Sequence, residues 1–118
     1  MRNNYFSDEE FHCKCGACNY KPVKEELIER LNIARSIAGI PFVITSGYRC
    51  PKHNARVGGA PNSKHTKGEA VDIRVRSSEE RFRILASVVS AGFERIGVSD
   101  GFIHVDVHPA DTPVIWTY

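Results

Sequence analysis

The stretch "NSKHTKGEAVDIRV", residues 62–75, decides how this chain is read. Its second half alternates: Val71, Ile73 and Val75 fall on one face of an extended segment, and Ala70, Asp72 and Arg74 on the other. Successive strand side chains point to opposite sides, so such a segment has one aliphatic and one polar face. Its first half is a glycine-bearing polar approach that carries His65. A second segment, "FIHVDVH" (102–108), repeats the pattern, with Ile103, Val105 and Val107 against Phe102, His104, Asp106 and His108. With both aliphatic faces packed under helices, Asp72, His104 and Asp106 share the opposite face. His65 then reaches the same point from the loop.

Two amphipathic segments supply those helices. "VKEELIERLNIARSIA" (23–38) places Leu27, Leu31, Ala34 and Ala38 three or four apart, with Ile28 and Ile37 flanking. Gly39 suits a left-handed cap and Pro41 forbids continuation. A second helix is expected over 78–91, opened by a Ser77/Glu80 capping box, striped by Phe82, Leu85, Ala86 and Val89, and ended by Gly92. "PFVITS" (41–46) reads as a strand and "PVIWTY" (113–118) as a last one. Between the first strand and residue 69 lies a long polar loop (47–68), a length that is usually functional. Residues 1–21 read as loop, with one helical turn at "SDEEF" capped by Ser7 and Glu10. The expectation is a single α+β domain over 1–118, a small antiparallel sheet with helices on one face and a metal site on the other.

Composition narrows the partners. The 118 residues fit one core, and 16 basic against 14 acidic residues leave a net charge of +2. That balance argues against a nucleic-acid partner, and no run is apolar enough for membrane insertion. The N-terminus has no apolar h-region, so no signal peptide is expected. Cys13, Cys15, Cys18 and Cys50 permit ordinary thiols, a bridge from the N-terminal loop to Cys50, or a structural zinc with His12 as a further ligand. Some tie between that loop and Cys50 is expected.

His65, Asp72 and His104 are the residue types of a catalytic Zn²⁺ site, which takes three protein ligands and leaves a fourth place to water. Asp106, one strand period from His104, is the nearest group to accept the water's proton, with Asp100 and His108 in reserve. Arg49 is placed to grip a substrate carboxylate. A lone His or Asp on a polar strand face is more often a solvated surface residue. Here two polar-faced strands, a ligand-bearing loop and an arginine ask for one explanation. His12 and His53 read as surface histidines; Tyr48 and Trp116 read as core or rim packing, Trp116 also as a cleft wall.

The segment "SGYRCPKHNARVGGAPNSKHTKGEAVDI" with "GFIHVD" resembles the M15 zinc peptidases, the D-Ala-D-Ala carboxypeptidase and peptidoglycan endopeptidase group. The pattern S-x-H-x-x-G-x-A-x-D is complete in Ser63, His65, Gly68, Ala70 and Asp72. The opening "FSDEEFHCKCG" is similar to short, phage-type members. The resemblance implies a hedgehog/D-Ala-D-Ala-carboxypeptidase-like fold, Zn²⁺ on His65, Asp72 and His104, and Arg49 on the substrate's carboxylate or scissile carbonyl. Ser63 would contact substrate or support the first ligand. Several members carry an acidic general base three positions before the last ligand; Gly101 stands there in this chain, so the base falls to Asp106, following the H-x-D ending of short members. The implied activity is zinc-dependent hydrolysis of an amide bond in peptidoglycan stem peptides or cross-links, by a monomer. Wall chemistry without a signal peptide fits a phage or prophage protein that is released or injected. Hedgehog-type domains resemble the same family without turnover, so a zinc-containing cell-wall or protein binding module is the alternative. A third version makes the thiols the only metal site.

Overall fold

A computed structural model describes residues 5–15, 23–61 and 63–118. Cys18, Asn62, and the expected loop over 1–4 and 16–22 therefore lie outside the described residues. The elements run, in chain order, α1 (Glu25–Ala38), β1 (Ile44–Ser46), α2 (Pro51–Arg56), β2 (Ala70–Arg74), α3 (Ser78–Ser90), β3 (Arg95–Val98), β4 (Phe102–Asp106) and β5 (Val114–Thr117). Two 3₁₀ turns accompany them, Asp8–Phe11 and Lys64–Lys67. The sheet order is β1-β2-β4-β3-β5.

The aliphatic faces settle the register. Val71 pairs with Val105 and Ile73 with Ile103, all four fully buried. They join Leu27, Leu31 and Ala34 of α1, Ile84 and Val88 of α3, and Ile96 of β3 in one core. Because side-chain direction repeats every two residues, this register puts Asp72 opposite His104 on the other face. Gly39 closes α1 in the left-handed conformation, φ 70°, its N–H donating to the Arg35 carbonyl.

Several expectations are corrected. The sheet is mixed rather than antiparallel. β4 ends with Asp106 level with Arg95, the start of β3. Residues 107–113 then carry the chain past β3, so that Val114 pairs with Arg95 and β5 runs parallel to β3. β3 itself was not expected; four residues with Gly97 among them carry a faint strand signal. The long loop contains α2, with Pro51 at its first position and Cys50 Sγ accepting from the His53 N–H. In α3 the buried face is Ile84, Ser87 and Val88, and not the stripe through Phe82 and Val89, which are 73% and 51% exposed. Ser87 tolerates burial because its hydroxyl donates to the Ile84 carbonyl at 2.8 Å. Ile37 of α1 likewise faces water. The Ser77 half of the expected box forms, Oγ accepting from Glu80 N–H, while the Glu80 carboxylate reaches Arg76 N–H instead.

The two α3 faces are separable. Ile84→Ala is expected to cost about 3 kcal/mol and Phe82→Ala less than about 0.5 kcal/mol, read as shifts of the denaturant midpoint. The reverse order would restore the Phe82 stripe.

Candidate metal centre

Asp72 and His104 face each other across the β2–β4 ladder, and the turn Lys64–Lys67 brings His65 to the same point. His65 Nε2 lies 3.2 Å and His104 Nδ1 3.0 Å from the same oxygen, Asp72 Oδ1. One ligand atom from each of the three falls within 4.8 Å of the others. The turn is held locally. Ser63 Oγ accepts from His65 N–H, Arg49 N–H donates to the His65 carbonyl, and Gly68 caps the turn at φ 71°.

The remaining ring nitrogens fix the tautomers. His65 Nδ1 lies 2.8 Å from the Gly47 carbonyl, which can only accept, so Nδ1 carries the proton. His104 Nε2 lies 2.8 Å from Asp106 Oδ2. Asp106 is ionised by its bond from Arg95 Nε at 2.8 Å, so Nε2 donates to it. In their neutral forms both rings therefore turn a lone pair toward one carboxylate oxygen. Three acceptors converging on one point repel unless both rings are protonated or a cation sits among them. A divalent cation satisfies the arrangement with neutral rings, and the donor set is of the type that binds zinc with one place left open.

Without a cation the other arrangement applies: burial opposes the ionisation of Asp72, but rings that carry a proton on the facing nitrogen donate to it, and the bonds from His104 and His65 with their charge hold the carboxyl well below the usual range. Asp106 is also lowered: burial opposes, and the His104 bond with the charges of His104 and Arg95 prevails. Asp106 Oδ1 additionally accepts from the His108 N–H. His108 Nδ1 in turn meets Glu69 Oε1 at 2.9 Å, and Glu69 Oε2 accepts from Lys24 Nζ.

His65, Asp72, His104 and Asp106 line a cleft of about 710 Å³. Six of the residues named from sequence share it: His65, Asp72, His104, Asp106, Arg49 and Ser63. Asp100 and His108 do not line it. Asp100 is exposed with its carbonyl held by Arg81, and His108 is turned to Glu69. His53, expected on the surface, lines the cleft, as do Arg95, Trp116 and Tyr118. Among the described residues, Arg49 Nε, His53 Nδ1 and Asn54 Oδ1 are buried with no hydrogen-bond partner, and of these residues Arg49 and His53 line the cleft. Burial pulls the Arg49 pKa down, opposed by the charge of Asp72. Trp116 packs 5.5 Å from His104 with the rings tilted by 49°, and the Arg95 guanidinium lies over its ring. Gly97 makes this possible, since a Cβ there would lie 2.6 Å from the Trp116 indole nitrogen.

The family model described as Peptidase M15 matches residues 4–106, and no curated protein matches the chain. β5, with Trp116 and Tyr118, lies beyond the matched stretch.

His65→Ala, Asp72→Ala and His104→Ala are each expected to remove one zinc ion per chain. Asp106→Asn should keep that ion at saturating zinc but weaken its binding about 10- to 100-fold. Competition against a chelating dye measures both. Unchanged zinc content in the three alanine variants contradicts the centre.

Proposed function

The chain belongs to the M15 peptidase family, and from that premise we propose that it hydrolyses an amide bond in the stem peptides or cross-links of peptidoglycan. The observation that carries this reading is the pair of imidazole nitrogens facing Asp72 Oδ1 in the lining of a cleft of about 710 Å³. When bound at His65, Asp72 and His104, zinc supplies a Lewis acid that activates water near neutral pH and polarises a carbonyl.

The chain's own residues do the rest. Lys14, Arg49, Lys64 and Arg95 make the cleft lining cationic, while its two carboxylates, Asp72 and Asp106, are taken up by the histidines and Arg95. Stem peptides carry several free carboxylates, which such a lining attracts. Arg49, half-buried beside the centre with Nε lacking a partner, grips a substrate carboxylate or the scissile carbonyl. Trp116 gives an apolar wall for short side chains. Ser63 supports His65 from behind.

Asp106, read from sequence as the proton acceptor, is 1% exposed with both oxygens engaged. That arrangement orients His104 and fixes its tautomer, so Asp106 is assigned a positioning role. His53, the remaining imidazole in the cleft, accepts the proton in this reading and returns it to the leaving amine.

Mass spectrometry of defined muropeptides incubated with the zinc-loaded protein is expected to show one cleaved amide bond, lost with chelator and restored by zinc. A loaded protein that sediments with peptidoglycan but releases nothing would instead be a binding module. Arg49→Ala should lower kcat/KM at least about thirtyfold, near 2 kcal/mol. At saturating zinc, His53→Ala should depress kcat far more than Asp106→Asn; the opposite ranking returns the proton-accepting role to Asp106.

A further inference from the structure

Away from the histidine centre, three thiols meet. Cys13 and Cys15 follow the turn Asp8–Phe11, and Cys50 precedes α2. Their sulfurs all lie within 4.8 Å of one another, and none of the three is in a disulfide. Cys50 Sγ stands 3.9 Å from Cys15 Sγ. A disulfide requires about 2.05 Å. Two thiolates on one tetrahedral zinc, with Zn–S near 2.3 Å, sit about 3.8 Å apart. The Cys50–Cys15 distance is close to that of two thiolates on one ion.

Backbone donors point the same way. Cys50 N–H donates to Cys13 Sγ at 3.3 Å, and His53 N–H to Cys50 Sγ at 3.4 Å. Such outer hydrogen bonds orient ligand side chains. All three cysteines are half-buried, close enough to the surface for a metal to enter.

We propose that Cys13, Cys15 and Cys50 bind a structural zinc ion, separate from the His65–Asp72–His104 centre. The thiols lose their protons on binding, and three thiolates fill three of the four tetrahedral places of a structural zinc, the fourth falling to a ligand outside this set.

The ion has a definite mechanical place. The N-terminal segment already touches the start of the 47–68 loop: Tyr48 N–H donates to the Phe11 carbonyl, and a Cβ at Gly47 would lie 2.7 Å from Phe11 Cα. Arg49 and His53, both in the cleft, bracket Cys50. A metal knot at Cys50 fixes the wall that carries them without touching the substrate.

Cobalt(II) loading of the reduced wild-type protein tests this. Two ions per chain are expected, with intense thiolate-to-cobalt charge transfer in the near ultraviolet. Cys50→Ser should lose that band and one ion. His65→Ala should lose one ion and keep the band, which separates this site's failure from that of the histidine centre. Absence of the band in wild type, or its survival in Cys50→Ser, overturns the proposal. Where Cys50→Ser does not fold, an organomercurial titrated into the zinc-loaded wild type is expected to free one of the two ions. Release of none also overturns it.

Discussion

One carboxylate oxygen facing two imidazoles is the constraint on which the rest of the structure depends. Asp72 Oδ1 accepts a place between His65 Nε2 and His104 Nδ1 only because β2 and β4 hold their register. A slip of one residue would turn Asp72 into the aliphatic core and Val71 or Ile73 into the cleft. The same four valine and isoleucine residues that exclude water on one face therefore set the polar geometry on the other. Core packing and site chemistry are two sides of one ladder.

Behind this point runs a chain of committed polar groups. Lys24 holds Glu69, Glu69 holds His108, His108 and Arg95 hold Asp106, and Asp106 holds His104. Buried polar groups are costly unless satisfied, and here each satisfies the next. The outcome is an imidazole whose tautomer and direction are fixed before any metal arrives. Elsewhere in the cleft lining, Arg49 Nε and His53 Nδ1 have no hydrogen-bond partner among the described residues.

Much of this was legible in the sequence. The alternation through Asp72 and through His104–Asp106 placed those side chains on one face, and the aliphatic residues between them formed the core. What could not be read has physical causes. β3 is four residues with a glycine required by Trp116, so local propensity is silent while a distant indole decides. The partner that fills Asp106 is Arg95, on that same unread strand, and so the carboxylate looked available. In α3 two faces are apolar enough to be core, and Ser87 marked the true one as polar until its hydroxyl found the Ile84 carbonyl. β5 runs parallel because of where β4 ends, a fact of topology and not of composition.

The most direct test of the central claim is anomalous diffraction at the zinc edge from crystals of the zinc-loaded protein. A peak is expected about 2.0–2.1 Å from His65 Nε2 and His104 Nδ1, with Asp72 Oδ1 as the third protein ligand. The account is contradicted if no peak stands between β2, β4 and the Lys64–Lys67 turn, or if the only zinc lies among the thiols.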